Sequence, residues 1–195
     1  MLELPRTLVV IALPAESMGV FEAAGITVLY CGVGKVNAAM ALTRQLARYA
    51  AQGHDLPLVL NFGSAGSRRF DGGTLVACHG FIQRDMDVSG LGFALGVTPF
   101  DDAPAMLSFD PVFEDLPSAV CGSGDSFATS GTAVDCGVVD MEAYALAKVC
   151  WREQAKFGCA KYVTDGADHA AAEDWHRNKH KAADEFLRRY RSVAR

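Results

Sequence analysis

Short apolar runs of strand length alternate along the chain with longer stretches whose apolar residues recur at helical intervals. Thr7 to Leu13, Ile26 to Cys31 and Leu58 to Phe62 are each nearly continuous, rich in β-branched residues or leucine, and bounded by Gly, Pro or Asn. Runs without polar alternation predict strands covered on both faces, as in a parallel sheet. Between the second and third, Val36 to Ala51 sets Ala39, Leu42, Leu46 and Tyr49 at helical spacing, which predicts a crossover helix and a βαβ unit. Ala143 to Phe157 again has helical spacing, with Gly158 suited to a left-handed cap, and Cys159 to Thr164 predicts one more strand. Trp175, Ala183, Phe186, Leu187 and Tyr190 mark the inner face of a terminal helix within Ala170 to Arg195. The middle differs. From Gly72 to Ser118, Gly, Asp and Pro punctuate short apolar pieces such as Leu75 to Cys78 and Val88 to Leu95, which predicts antiparallel strands or a lid.

With 195 residues, half of them hydrophobic, the chain can bury a full core, and no composition shift separates a second module, so residues 1–195 are expected to form one domain. A formal net charge of −5 argues against nucleic-acid binding, which needs a basic face. Basic residues gather from Arg177 to Arg195, but Asp184 and Glu185 interrupt them, as on a solvated helix face. No apolar run reaches the ~18 residues of a membrane span. Met1 to Leu13 lacks the early positive charge and small-residue cleavage site of a secretory signal. The six cysteines, Cys31, Cys78, Cys121, Cys136, Cys150 and Cys159, show no CxxC spacing and lie mostly in apolar runs. Reduced, buried thiols and a cytoplasmic setting are expected.

Two predicted strands end in acids. Val138-Val139-Asp140-Met141-Glu142 and Tyr162-Val163-Thr164-Asp165 deliver carboxylates out of apolar surroundings, a costly placement met more often at a working site than in a passive core. Gly32-Val33-Gly34-Lys35 follows a predicted strand and opens a predicted helix, where free amides and the helix dipole favour an anion or a polar ligand atom. It matches neither nucleotide fingerprint, since no hydroxyl follows Lys35 and Asn37 stands where a third glycine would. A plain tight turn explains it equally well. Asn61-Phe62-Gly63-Ser64-Ala65-Gly66-Ser67 is expected as a second small-residue loop at the carboxyl end of the same sheet. Two such loops on one sheet edge predict a ligand crevice.

Other patterns fall short. Gly124-Asp125-Ser126 is the nucleophile block of one esterase group, but it lies mid-chain, and Glu173-Asp174-Trp175-His176 only approximates the needed Asp-x-x-His. His176 and His180 share a helix face with Lys179 and Lys181 beside them, and that like charge disfavours a cation. No metal and no cofactor is expected. Taken singly, Glu16 suits the first turn of a helix beginning near Pro14, Glu142 the start of the next helix, and Asp165 an N-cap. Only their joint placement at strand ends lifts all three.

Five blocks in order carry a family resemblance: Gly32-Val33-Gly34-Lys35-Val36-Asn37-Ala38-Ala39, Asn61-Phe62-Gly63-Ser64-Ala65-Gly66, Ser123-Gly124-Asp125-Ser126-Phe127, Val139-Asp140-Met141-Glu142-Ala143 and Thr164-Asp165-Gly166-Ala167-Asp168. Together they resemble the nucleoside phosphorylase superfamily, and within it the 5′-methylthioadenosine/S-adenosylhomocysteine nucleosidases. The resemblance implies an α/β fold, a three-layer sandwich around a twisted mixed β-sheet. It implies an enzyme that uses water to cleave the N-glycosidic bond between adenine and a 5′-modified ribose. Asp165 would then protonate the purine at N7, Glu142 with Met141 would hold the ribose hydroxyls, and Glu16 would activate the water. Phe127 would stack on the base, with the Ala128 main chain reading its edge, and Ser64, Gly66, Lys161 and Thr164 would complete the substrate site. Lys161 stands where the relatives usually have an arginine, which loses a planar fork, and Thr164 replaces a serine. The implied partner is a small-molecule purine nucleoside, with neither nucleic acid nor membrane, and the implied assembly is a homodimer.

Elementary chemistry agrees with those roles. Glycoside cleavage passes through an oxocarbenium-like state that wants an acid at the leaving group, negative charge near the sugar and a base for water. Free Asp ionises near pH ~3.9, so Asp165 needs burial or a hydrogen bond to keep its proton. Phosphate is the alternative nucleophile. A carboxylate ~4 Å from it opposes binding by roughly 4 kcal/mol at an effective dielectric of ~20, so Glu16 favours water. Arg68, Arg69 and Arg84 keep phosphorolysis open, and a nucleoside-binding protein that has lost turnover through Lys161 is a third reading.

Overall fold

A computed structural model describes residues 6–130 and 132–194. Residues 1–5, the head of the segment read for a secretory signal, and residue 195, the end of the late basic stretch, lie outside the described residues. The first apolar run forms β1 (Thr7–Ile11), whose side chains alternate between two cores, Leu8 and Val10 into one, Val9 and Ile11 into the other. Two single-turn helices follow, α1 (Pro14–Ser17) and α2 (Val20–Ala23). β2 (Val28–Tyr30) and, after the crossover helix α3 (Lys35–Ala51), β3 (Leu58–Gly66) flank β1 in parallel. A strand paired on both edges and covered on both faces has no solvent side, which is why its sequence is continuously apolar. α3 buries Ala38, Leu42, Leu46 and Tyr49; its inner stripe thus starts one residue before the expected Ala39, which is only partly buried.

β4 (Leu75–Gln83), β5 (Met106–Ser108), β6 (Ser118–Ser123), β7 (Val138–Asp140) and β8 (Phe157–Asp165) complete an eight-stranded mixed sheet. α4 (Ala143–Glu153) joins β7 to β8, and α5 (Ala171–Asn178) and α6 (Ala183–Val193) follow. β8 runs parallel to β3 and antiparallel to β4, while β4, β6 and β7 run parallel to one another along their shared edges. β7 meets β3 antiparallel through the single bridge Gly66↔Val139. The sheet therefore contains two oppositely directed strand sets whose carboxyl ends approach each other. One core lies under α3 and α4, the other under α2 and α6. In the second, Phe62 stacks on Phe186 with ring centroids 5.2 Å apart, a contact worth about 0.5–1.5 kcal/mol beyond its buried area. Helices on both faces give the expected three layers.

Several local expectations are corrected. The Gly63-Ser64-Ala65-Gly66 segment is not a loop: β3 continues to Gly66 because β8 pairs with it to the end. Its residues are small to make room, since a Cβ on Gly66 would stand 2.6 Å from Asp165 Oδ1. Gly158 does not cap α4. Gln154 takes the left-handed conformation at φ 58°, and Gly158 lies in β8, where a Cβ would meet Val112 Cγ2 at 2.7 Å. The single terminal helix is two, because α5 packs on β8 and the cleft while α6 docks on Phe21 and Phe62. The middle does hold an antiparallel pair, the long β4 with the short β5, but Val88 to Leu95 forms no strand; within it only Ser89–Leu91 makes a 3₁₀ turn. Asp101 anchors that region to α4 through ion pairs with Lys148 at 2.5 Å and Arg152 at 2.7 Å.

Candidate active site

The carboxyl ends of the two strand sets meet at a cleft of about 290 Å³. Glu16 reaches it from α1, Ser64 and Gly66 from β3, Met141 and Glu142 from the turn after β7, and Asp165 from β8. The loop after β6 contributes Phe127 and Ala128. The three acids read from the sequence are thus brought to one place.

Glu16 is held by its helix and by the sheet at once. Pro14 starts α1, and Glu16 Oε2 accepts the Leu13 N–H at 3.1 Å, closing the helix start. Oε1 turns to β3 and accepts both the Ser64 N–H at 2.8 Å and the Ser64 hydroxyl at 2.7 Å. The helix-start reading and the functional reading describe the same carboxylate.

A bulge aims Asp165. β3 and β8 pair in step as far as Ala65↔Val163, after which Gly66 pairs with Asp165 and Thr164 is left over. Such an insertion re-aims the following side chain, here into the cleft. Asp165 accepts the Thr164 hydroxyl at 2.8 Å and the Ala167 N–H at 3.0 Å. Burial nonetheless raises it above its ordinary value.

Asp140 and Lys161 form an ion pair of 2.8 Å in the interior behind the cleft. Burial opposes the charge on Asp140, but the Lys161 ammonium, the Ser123 hydroxyl and the Ala143 N–H together hold it below its ordinary value. Burial opposes the Lys161 charge too, but Asp140, with Cys159, Cys121 and Glu142 nearby, outweighs it and raises the ammonium well above its ordinary value. Glu142 lacks such a partner. Burial and then the Asp140 charge push it up to about 7, although Oε1 accepts the Gly34 N–H at 2.8 Å.

Some assignments change with the geometry. Lys161 is 1% exposed and does not line the cleft; its ammonium is taken by Asp140, so it is no wall residue for a substrate. Thr164 likewise stands behind the cleft, orienting Asp165. Ser64 does line it, with its amide and hydroxyl both directed at Glu16. The amides expected to await an anion at the start of α3 are occupied by the chain itself, Gly34 by Glu142 and Lys35 by Asp125 at 2.7 Å. Ser126 accepts from Arg84 at 3.2 Å, which is no arrangement for a nucleophile. Arg84 lines the cleft and is tied to the Gly124 and Ser126 carbonyls, whereas Arg69 pairs with exposed Asp135.

Trp175 and His176 also line the cleft, which their helical spacing did not reveal. Trp175 read as a core position; the signal against it was its indole N–H, which needs a partner when buried. Among the described residues, no group of His, Cys, Asp or Glu is arranged to hold a metal ion, and no helix is long and apolar enough to cross a membrane.

A mixed sheet with helices on both faces and acids gathered at converging strand ends defines the class. A family model for the phosphorylase superfamily matches residues 17–195, and the chain belongs to that superfamily. Within it, the chain is 31% identical over 185 residues to the 5′-methylthioadenosine/S-adenosylhomocysteine nucleosidase of Geobacillus thermodenitrificans, covering 82% of this chain and 75% of that protein. An aspartate-to-asparagine mutant of the Helicobacter pylori nucleosidase, solved with 5′-methylthioadenosine in its active site, has the same fold, with a TM-score of 0.83 at 19% identity, covering 98% of this chain and 100% of that one. Futalosine hydrolase from Helicobacter pylori is also similar in fold, with a TM-score of 0.81 at 21% identity over 94% of this chain and 95% of that one.

Proposed function

We propose that this chain is a nucleosidase that hydrolyses the N-glycosidic bond of adenosines modified at the 5′ carbon, of the 5′-methylthioadenosine and S-adenosylhomocysteine type. One observation carries this reading. Every buried Asp, Glu, Lys or Arg side chain among the described residues, namely Glu16, Asp140, Glu142, Lys161 and Asp165, gathers at or directly behind the cleft. Asp140 neutralises Lys161, so the remaining excess is acidic. Such a site stabilises a sugar that turns positive and repels a phosphate.

Asp165, whose hold on a proton burial strengthens, gives that proton to the departing purine as the bond to the sugar breaks. Glu142 accepts from the ribose hydroxyls, and Glu16 takes a proton from the water that attacks the anomeric carbon. Phe127, 44% exposed on the cleft wall, offers a face for the base. Lys161 acts through Asp140, and Thr164 through Asp165. The buried thiols fit a reducing, cytoplasmic setting, and exposed Val36, Met40 and Phe127 are apolar surface that a homodimer would cover.

Incubating the protein with 5′-methylthioadenosine, with and without phosphate, tests the reading. Free adenine and a 5′-modified ribose, independent of phosphate, are expected; ribose 1-phosphate chemistry would transfer the assignment to a phosphorylase using Arg84, and binding without product to a non-catalytic protein. Asp165→Asn should fold normally and lose at least about 100-fold in kcat. Unchanged turnover would remove Asp165 from the mechanism.

A further inference from the structure

We infer that Trp175 is a positioning residue for the water-activating carboxylate, acting through Ser64. This rests on the hydrolase reading above. The Trp175 indole Nε1–H donates to Ser64 Oγ at 2.9 Å, and the Ser64 hydroxyl donates to Glu16 Oε1 at 2.7 Å. A serine hydroxyl is a free rotor with one donor and two acceptor sites, so by itself it does not choose its role. An indole N–H only donates. By occupying an acceptor site on Ser64 Oγ, it leaves the serine proton for Glu16, and the direction of the chain Trp175 to Ser64 to Glu16 is fixed. Each donor in such a chain polarises the next.

The carboxylate is thereby gripped at three points, by Leu13 N–H, Ser64 N–H and Ser64 Oγ–H. One acceptor site, on Oε2, is left for a water in the cleft that Glu16 lines. The indole is itself fixed. Lys179 Nζ lies 4.2 Å from the ring centroid, and His176 packs edge-on with centroids 5.0 Å apart. α5 is thus coupled to the base of the reaction, across the cleft from its own helix, by one nitrogen that a phenylalanine of similar bulk would lack.

Trp175→Phe keeps the apolar wall and removes the donor. With 5′-methylthioadenosine, kcat should fall about tenfold while KM stays within about twofold, because the lost bond orients the base rather than holding the substrate. In a Ser64→Ala background, Trp175→Phe should have no further effect on kcat. A rise in KM alone, or full additivity with Ser64→Ala, overturns the proposal. The contact also has a readout that needs no turnover. In a Trp151→Phe background, which leaves one indole, the nitrogen-15 indole resonance should be protected from exchange, and Ser64→Ala should shift it and remove the protection. An unmoved resonance overturns the proposal even where the enzyme assay succeeds. Wild-type protein that releases no adenine overturns the hydrolase reading instead, and the indole resonance then still decides whether Trp175 holds Ser64.

Discussion

Glu142 is the residue where stability and function oppose each other most directly. Its carboxyl is buried beside ionised Asp140 and is held at about 7 against an ordinary 4.5. A folded-state pKa above the unfolded one means that the native state binds the proton more tightly. The contribution to stability is present below pH 4.5 and is lost as pH rises to about 7. Glu142→Gln, which can still accept the Gly34 N–H, should therefore melt higher than wild type at pH 8, by about 3 °C or more, with the gap closing toward pH 4.5. Calorimetric melts across that range check this; equal midpoints at pH 8 would show that Glu142 is not strained by its surroundings. At this scale the sequence was informative about the acids, because Glu16, Glu142 and Asp165 follow apolar runs that end abruptly. It did not show what Trp175 meets, since its helical spacing to Ala183 and Phe186 is that of an ordinary core stripe, nor that the partner of Lys161 is Asp140, which is distant in the chain. Periodicity reports which face a residue occupies, not what that face meets.

At the scale of elements, the cleft depends on how one helix start holds a loop. Lys35 at the head of α3 reaches Asp85 Oδ1 at 2.6 Å and Gln83 Oε1 at 3.1 Å near the end of β4. Its own amide binds Asp125, and Asp85 Oδ2 accepts the Asp125 N–H at 2.8 Å. The loop bearing Phe127 is pinned by this cluster two residues before the ring. Lys35 and Asp85 are only partly exposed, and although burial opposes the charge on Asp85, the Lys35 bond and the Asp125 N–H together hold it below its ordinary value. Lys35→Met should raise KM for the nucleoside about fivefold through a looser Phe127 wall, with kcat changed much less. A fall in kcat at constant KM would instead place Lys35 in the chemical step. The sequence showed a turn and a helix start here, and even the preference for anions, but the anions proved to be Glu142 and Asp125 from far along the chain. Likewise β3 was read too short. Small residues look like a loop when the strand that needs them small, β8 with its bulge at Thr164, is out of sight.

For the whole molecule, the decisive arrangement is the meeting of two strand sets that point at each other. A run of apolar residues predicts a strand and its burial, yet carries no information on direction: the small-residue segments at the ends of β2 and β3 do share one sheet edge as expected, but nothing in the apolar pattern revealed the opposed set that faces them. β7 and β3 touch by one bridge only, at Gly66↔Val139. The Asp140–Lys161 pair spans the same junction from the end of β7 to the middle of β8, with both side chains at most 2% exposed. Two ions removed from water are stable there only as a pair, and removing one strands the other, at a cost of about 3–5 kcal/mol. Lys161→Met should accordingly lower the melting temperature by about 10 °C for a chain of this size. Adding Asp140→Asn should restore a substantial part of it, because the stranded charge and not the lost attraction carries most of the penalty. If Lys161→Met melts like wild type, the junction is held by strand pairing alone and the buried ion pair has no part in bringing the two sets together.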